Sequence, residues 1–228
     1  MNTMARTRPN ALARWAALGG ILYVVLFIIG TILLYSGAPD SDSAPSKIIA
    51  YYSDSGHRDR IGIGWVLGGL GVFFFLWFLS SLRNMVRWHE GGDGFLTGLT
   101  TIGGVVYAAL ALAALAINMG VRTMSDDTYH HTVYPGLLHA ADDASYILHA
   151  SGGAGAGAMI IAASIAALRA RAWPAWAAWL GVIAGIIGIA SILFFTQAAI
   201  AIWIVAVSLY LFLRWPRDDA PAVAATPA

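Results

Sequence analysis

The sequence predicts an all-α fold: a polytopic transmembrane helical bundle of six spans with both termini on the cytoplasmic side. Three observations carry this. Of the 228 residues, 59% are apolar and 11% are charged, against about 45–50% and about 25% in soluble domains. A soluble domain of this length has too little interior for so much apolar surface, so much of it must face lipid. Second, the stretches 15–35, 61–82, 95–119, 146–168, 176–195 and 198–213 contain no Asp, Glu, Lys or Arg. A bilayer core of about 30 Å needs about 20 such residues per helix. Third, the segments between them alternate between Arg-rich and Asp-rich.

That alternation orients the chain. Arg6, Arg8 and Arg14 precede the first span, and Arg83 and Arg87 follow the second. Arg169 and Arg171 follow the fourth, and Arg214 and Arg217 the sixth. The other side holds Lys47, Arg58, Arg60 and Arg122, so the richer side is cytoplasmic. Asp40, Asp42, Asp54, Asp59, Asp126, Asp127, Asp142 and Asp143 make the outer surface acidic. The excess of Arg over Lys, with abundant Ala and Gly, reads as a GC-rich bacterial genome, and the expected location is the bacterial plasma (inner) membrane. The chain has no cysteine, which excludes thiolate metal sites, disulfides and thiol redox chemistry. A net charge of +1 gives no ground for a nucleic-acid partner.

In chain order, 1–14 is a basic cytoplasmic N-terminus. The first span has a rival reading as a signal peptide cleaved near Ser36-Gly37-Ala38, but its apolar run exceeds the usual h-region of about 7–15 residues. In the long outer segment 36–60, Ser46 is expected to cap a short helix that lays Ile48, Ile49, Tyr51 and Tyr52 on the membrane surface. Asn118 and Gln197 are expected to bond across helices, and Arg122 to snorkel to the outer interface. Pro135 suits the first turn of a helix running into the fourth span. Trp173, Trp176 and Trp179 are expected to anchor the inner interface. Thr196-Gln197 leaves a very tight turn between the last two spans, and 215–228 reads as a disordered cytoplasmic tail.

Small residues recur four apart at Gly64/Gly68, Gly153/Gly157 and Gly181/Gly185. In lipid such residues supply helix contact by letting backbones approach. The run 152–158 is the extreme case, either a tight crossing or an unwound substrate-binding helix of the transporter kind.

One constellation carries possible chemistry. His130 and His131, followed by His139, Asp142, Asp143, Tyr146 and His149, gather on the outer side. At 100° per residue His139, Asp143 and Tyr146 share a face, with Asp142 and His149 at its edge and Ala150, Gly153 and Gly157 further down. His139, Asp143, His149, His130 and His131 form the candidate metal set, for zinc or a related divalent ion. A zinc ion with an open position would activate water. No HExxH or comparable spacing is present. A hydrogen-bonded belt closing the bundle mouth, and proton sensing by His beside Asp, are the alternatives.

The stretches Ala38-Pro39-Asp40-Ser41-Asp42, Ala50-Tyr51-Tyr52-Ser53-Asp54-Ser55-Gly56-His57-Arg58-Asp59-Arg60 and Phe75-Leu76-Trp77-Phe78-Leu79 carry a resemblance. With Trp176-Ala177-Ala178-Trp179-Leu180-Gly181 and the final helix 203–214, the chain resembles uncharacterised six-helix integral membrane proteins of actinobacteria, a domain-of-unknown-function group. The resemblance implies the membrane fold and no reaction, cofactor or catalytic residue.

The leading expectation is a non-enzymatic accessory or channel-like bundle with an acidic, His-bearing outer face. Its partners would be the lipid bilayer and either another membrane protein or further copies of itself. The alternative is a membrane-embedded metal-dependent hydrolase using the outer His/Asp cluster, and the third is a small-solute transporter built on the fourth span.

Overall fold

In hydrocarbon every backbone N–H and C=O must be satisfied within the chain, so long apolar segments become helices. The computed structural model describes residues 11–40, 42–91, 93–124, 132–193 and 197–214, and among these every regular element is helical. The elements are α1 (Ala11–Ala16), α2 (Gly19–Tyr35), α3 (Pro45–Ser53), α4 (Ser55–Glu90), α5 (Phe95–Arg122), α6 (Pro135–Arg169), α7 (Ala175–Ile189) and α8 (Gln197–Arg214). A short 3-10 turn, Ala190–Ile192, follows α7. The expected tail at 215–228 lies outside the described residues.

Five helical stretches are long and apolar enough to cross a membrane: α1 with α2, then α4, α5, α6 and α8. The stretch expected at 176–195 is shorter than the sequence implied. Its α7 has 15 residues, about 22 Å of helix, before Ser191 enters the 3-10 turn and donates to the Gly188 and Ala150 carbonyls. In contrast, α4 has 36 residues, about 54 Å, and runs well past 61–82 at both ends.

Successive helices pack side by side, and α8 returns against α2 to close the bundle. At the centre lies α6, with 67% of its apolar stretch buried, against 44% or less for the other four. The reason is steric. A Cβ on Gly155 would sit 2.6 Å from the Gly103 carbonyl of α5, and one on Gly157 would sit 2.5 Å from the Gly185 carbonyl of α7. Glycines thus line two opposite sides of α6, which stays helical throughout from Pro135 to Arg169. The run 152–158 is a double crossing and not an unwound segment. Gly64 makes the same kind of approach to Gly30 of α2, Gly68 meets Leu115, and Gly181 meets Ser164 and Trp203. All three expected glycine pairs are at helix contacts.

The Arg-rich ends of the helices come together. Arg14 Nε donates to the Phe212 carbonyl at 2.8 Å, Ser81 Oγ to the Ala13 carbonyl at 2.5 Å, and Tyr210 Oη to the Ala172 carbonyl at 2.8 Å. Trp173 is buried there against Trp203 and Tyr210, while Trp176 and Trp179 are exposed. The anchoring role therefore fits Trp176 and Trp179, and Trp173 is a core residue.

Gly91 and Gly94 both adopt positive φ in the α4–α5 hairpin, which turns Glu90 onto the start of α5. Its carboxylate accepts from the Leu96 and Thr97 N–H groups at 2.5 and 2.8 Å and from the Thr97 hydroxyl at 2.6 Å. These N–H groups otherwise have no helical partner. Glu90→Ala should lower stability by about 1–2 kcal/mol, the range for losing a good cap, read as thermal unfolding in detergent.

Candidate functional site

The Asp-rich end is closed by α3. Pro45 opens this helix at its first turn, with Ala44 at the cap position and no side-chain capping bond, so Ser46 does not play the part the sequence proposed. Ile48 and Tyr52 do not lie on a membrane surface. They are buried with Leu34, Ile61, Val133 and Leu138, which seats α3 on the ends of α2, α4 and α6. Arg60 fastens it further by donating to Tyr51 Oη and the Ser36 carbonyl, each at 2.5 Å. His57 stacks on Tyr51 with ring centroids 4.1 Å apart, and the Asp54 side chain caps α4 by accepting from the His57 N–H at 3.0 Å.

Beneath this cap is a polar cluster centred on the buried Arg122. Arg122 does not snorkel: it is 1% exposed. Its Nη2 donates to Asp142 Oδ1 at 2.6 Å, and Nη1 donates to the Asn118 side-chain oxygen. Asn118 in turn donates to Asp142 Oδ1 at 3.1 Å and to Tyr35 Oη at 3.0 Å. The guanidinium also faces the rings of Tyr35 and Tyr52, at 5.1 and 5.7 Å. Such pairing makes an ionised side chain tolerable at that depth. Burial pushes the Tyr52 phenol up and the Arg122 charge opposes that shift, so Tyr52 is neutral at physiological pH.

These residues come from four elements for local reasons. Asn118 and Arg122 are four apart on α5 and share a face. Asp142 is presented by α6, the helix that follows α5 in antiparallel hairpin fashion. Tyr35 ends α2, and Tyr52 hangs from the cap. Of the residues proposed from sequence, Asp142 and His149 turn inward, whereas Asp143 and Tyr146 are exposed and His139 is half-buried. The inward stripe of α6 begins Leu138, Ala141, Ser145, about one residue round from the expected one. Contact with helices on both sides, not a single inward face, sets that rotation.

His149 lies one level below. Its ring stacks on Phe27 at 5.1 Å and meets Tyr107 at 6.0 Å, while Gln197 donates to its backbone carbonyl at 3.2 Å. Both Asn118 and Gln197 thus bond across helices as expected. Further in, the hydroxyls of Tyr23 and Tyr107 meet at 2.6 Å in the bundle interior. Neither tyrosine had a sequence signal beyond its place in an apolar run. Tyr23→Phe should cost about 1–3 kcal/mol by stranding the Tyr107 hydroxyl, while Tyr23→Phe with Tyr107→Phe should be nearly neutral. Unfolding of the three proteins in detergent checks this.

Among the described residues no three His, Asp or Glu side chains converge as a metal set. His130 and His131 lie outside the described residues. Neither a family profile, nor a characterised protein, nor a solved structure matches this chain.

Proposed function

We propose that this chain is a six-span protein of a bacterial plasma membrane, N-in and C-in, acting without catalysis as an accessory bundle. Its recognition face is the outer surface built on α3. One observation carries this reading: beneath α3 the buried Arg122 and Asn118 are bonded to Asp142, and Asn118 also to Tyr35, in one cluster. A site made to process a substrate keeps convergent polar groups open to it; this cluster instead fixes the platform on which α3 sits. Ser46, Lys47, Ala50, Ser53 and Asp54 are then presented outward on and beside α3.

The interior supports an accessory role over a conducting one. Below the Tyr23–Tyr107 pair, Phe75, Phe78, Met159 and Ile160 fill the bundle axis with apolar side chains. The helix expected to be broken in a transporter is continuous. Six spans follow if α7 with its 3-10 turn crosses despite its length, which local bilayer thinning accommodates at modest cost.

The test pairs two measurements on native membranes and purified protein. A photo-crosslinker placed at Lys47 or Ala50 should capture one and the same membrane-protein partner, or a second copy, and the same group at Leu213 should not. Metal analysis should show no stoichiometric divalent ion. Near-stoichiometric zinc lost in His139→Ala/His149→Ala would sink the accessory reading and favour the hydrolase.

A further inference from the structure

We propose that the groove between α1 and the second half of α4 is a binding site for a phospholipid with an anionic headgroup. The groove encloses about 430 Å3. Leu12, Ala13 and Ala16 form its α1 wall, and its α4 wall includes Phe73, Leu76, Trp77, Ser80 and Asn84. The volume falls within the about 300–1,000 Å3 of small-molecule sites. That suits one lipid chain with part of its glycerol region.

The chemistry of the walls is graded. Phe73, Trp77, Ser80, Asn84 and Arg87 recur at spacings of four, three, four and three on α4, which makes them one stripe of the helix. Along it, aromatic surface gives way to a hydroxyl, then an amide, then a guanidinium. Phe73 to Arg87 covers about 21 Å of helix, close to one leaflet with its headgroup region given a core of about 30 Å. An amphiphile with its charge at the Arg-rich end matches that order.

Charge selects the headgroup. Asn84 and Arg87 are exposed, and within the described residues no hydrogen bond or ion pair ties either side chain. The nearest acidic residue in sequence, Glu90, has both its oxygens turned onto the start of α5. Ser80 donates its own proton to the Leu76 carbonyl at 2.9 Å, leaving its oxygen as an acceptor for a glycerol hydroxyl. The groove mouth thus offers uncommitted donors in the Asn84 amide and the Arg87 guanidinium and no acidic side chain beside them, which suits phosphate oxygens, with Arg able to bind them through paired N–H groups. A two-fold dimer packed across this groove would bring the Arg87 stripes of two copies together, so the charge favours lipid over a second chain.

The test is native mass spectrometry of the full chain released from detergent containing equal phosphatidylglycerol and phosphatidylcholine. Wild type should retain one phosphatidylglycerol with about fivefold preference, as one basic contact to an anionic headgroup gives. Arg87→Gln with Asn84→Leu should bring the preference close to one. Arg171→Gln, which removes an exposed charge at the same end of the bundle but on the α6–α7 turn, should leave it intact. Ala16→Phe, which fills the groove, should remove the retained lipid altogether. Equal retention of the two lipids by wild type, a preference that survives the Arg87/Asn84 pair, or a lipid-free dimer would overturn the proposal. Quenching of Trp77 by brominated phosphatidylglycerol, scored as the difference between wild type and Trp77→Phe, gives a second readout in vesicles. No greater quenching than by brominated phosphatidylcholine would count against the site.

Discussion

Asp142→Ala should destabilise the protein by about 3–5 kcal/mol, the cost of stranding a buried charge, and Asp143→Ala should change stability by no more than about 0.5 kcal/mol, as at ordinary surface positions. The two residues are neighbours of identical chemistry, so the contrast isolates geometry. Asp142 accepts from Arg122 and Asn118, while Asp143 is exposed. Removal of Asp142 leaves a guanidinium that is 1% exposed with no counter-charge from α6. Replacing both partners, Arg122→Leu with Asp142→Leu, should recover most of the loss, because it leaves no unpaired charge at the buried Arg122 position. Unfolding in a single detergent, with all four proteins, gives the cycle. If Asp142→Ala and Asp143→Ala fall equally little, the ion pair does not hold the α3 end together.

The second large effect is steric. Gly155→Leu should cost about 3 kcal/mol or more, the upper end for overpacking, because even its Cβ would press on the Gly103 carbonyl at 2.6 Å. The contact is backbone against backbone, so no rotamer change relieves it, and α5 must move off α6. Gly103→Leu should behave alike, since its Cβ would sit 2.5 Å from the Gly155 carbonyl. A Cβ on Gly98, on the same helix as Gly103, meets nothing within 4 Å, so Gly98→Leu serves as the control. The readout is the folded, monodisperse fraction after extraction together with the unfolding temperature. Equal behaviour of Gly98→Leu and Gly155→Leu would remove the crossing from the account.

Much of the fold was legible because lipid imposes one rule on every span, and the runs of uncharged residues announce it. The glycine pairs were legible too, since close approach needs no side chain. The candidate site was read less well. A helical wheel for α6 offers two stripes, one through His139 and Asp143 and one through Leu138, Asp142 and Ser145. Only the positions of α5 and α7 choose between them. Arg122 was misplaced for a related reason: at the end of an apolar run, snorkelling and burial look alike until an acidic partner is located. Asn118 four residues before it, and two Asp residues early in the next helix, were the available signal. Tyr35 and Tyr52 reach the cluster from the first span and from the cap, and nothing local in their sequence joins them to Arg122. The short α7 was obscured because the uncharged run of the sequence continues past Ile189, where α7 ends.

In the proposed orientation the α3-capped end is the outer, partner-facing end and the Arg-rich end faces the cytoplasm. The absence of cysteine makes single-cysteine labelling with a membrane-impermeant maleimide on intact cells the most direct test. Ala50→Cys on α3 and Leu193→Cys after α7 should label from outside, and Asp93→Cys and Arg171→Cys should label only after the membrane is opened. Labelling of Asp93→Cys in intact cells with protection of Ala50→Cys would invert the proposed topology and place α3 in the cytoplasm.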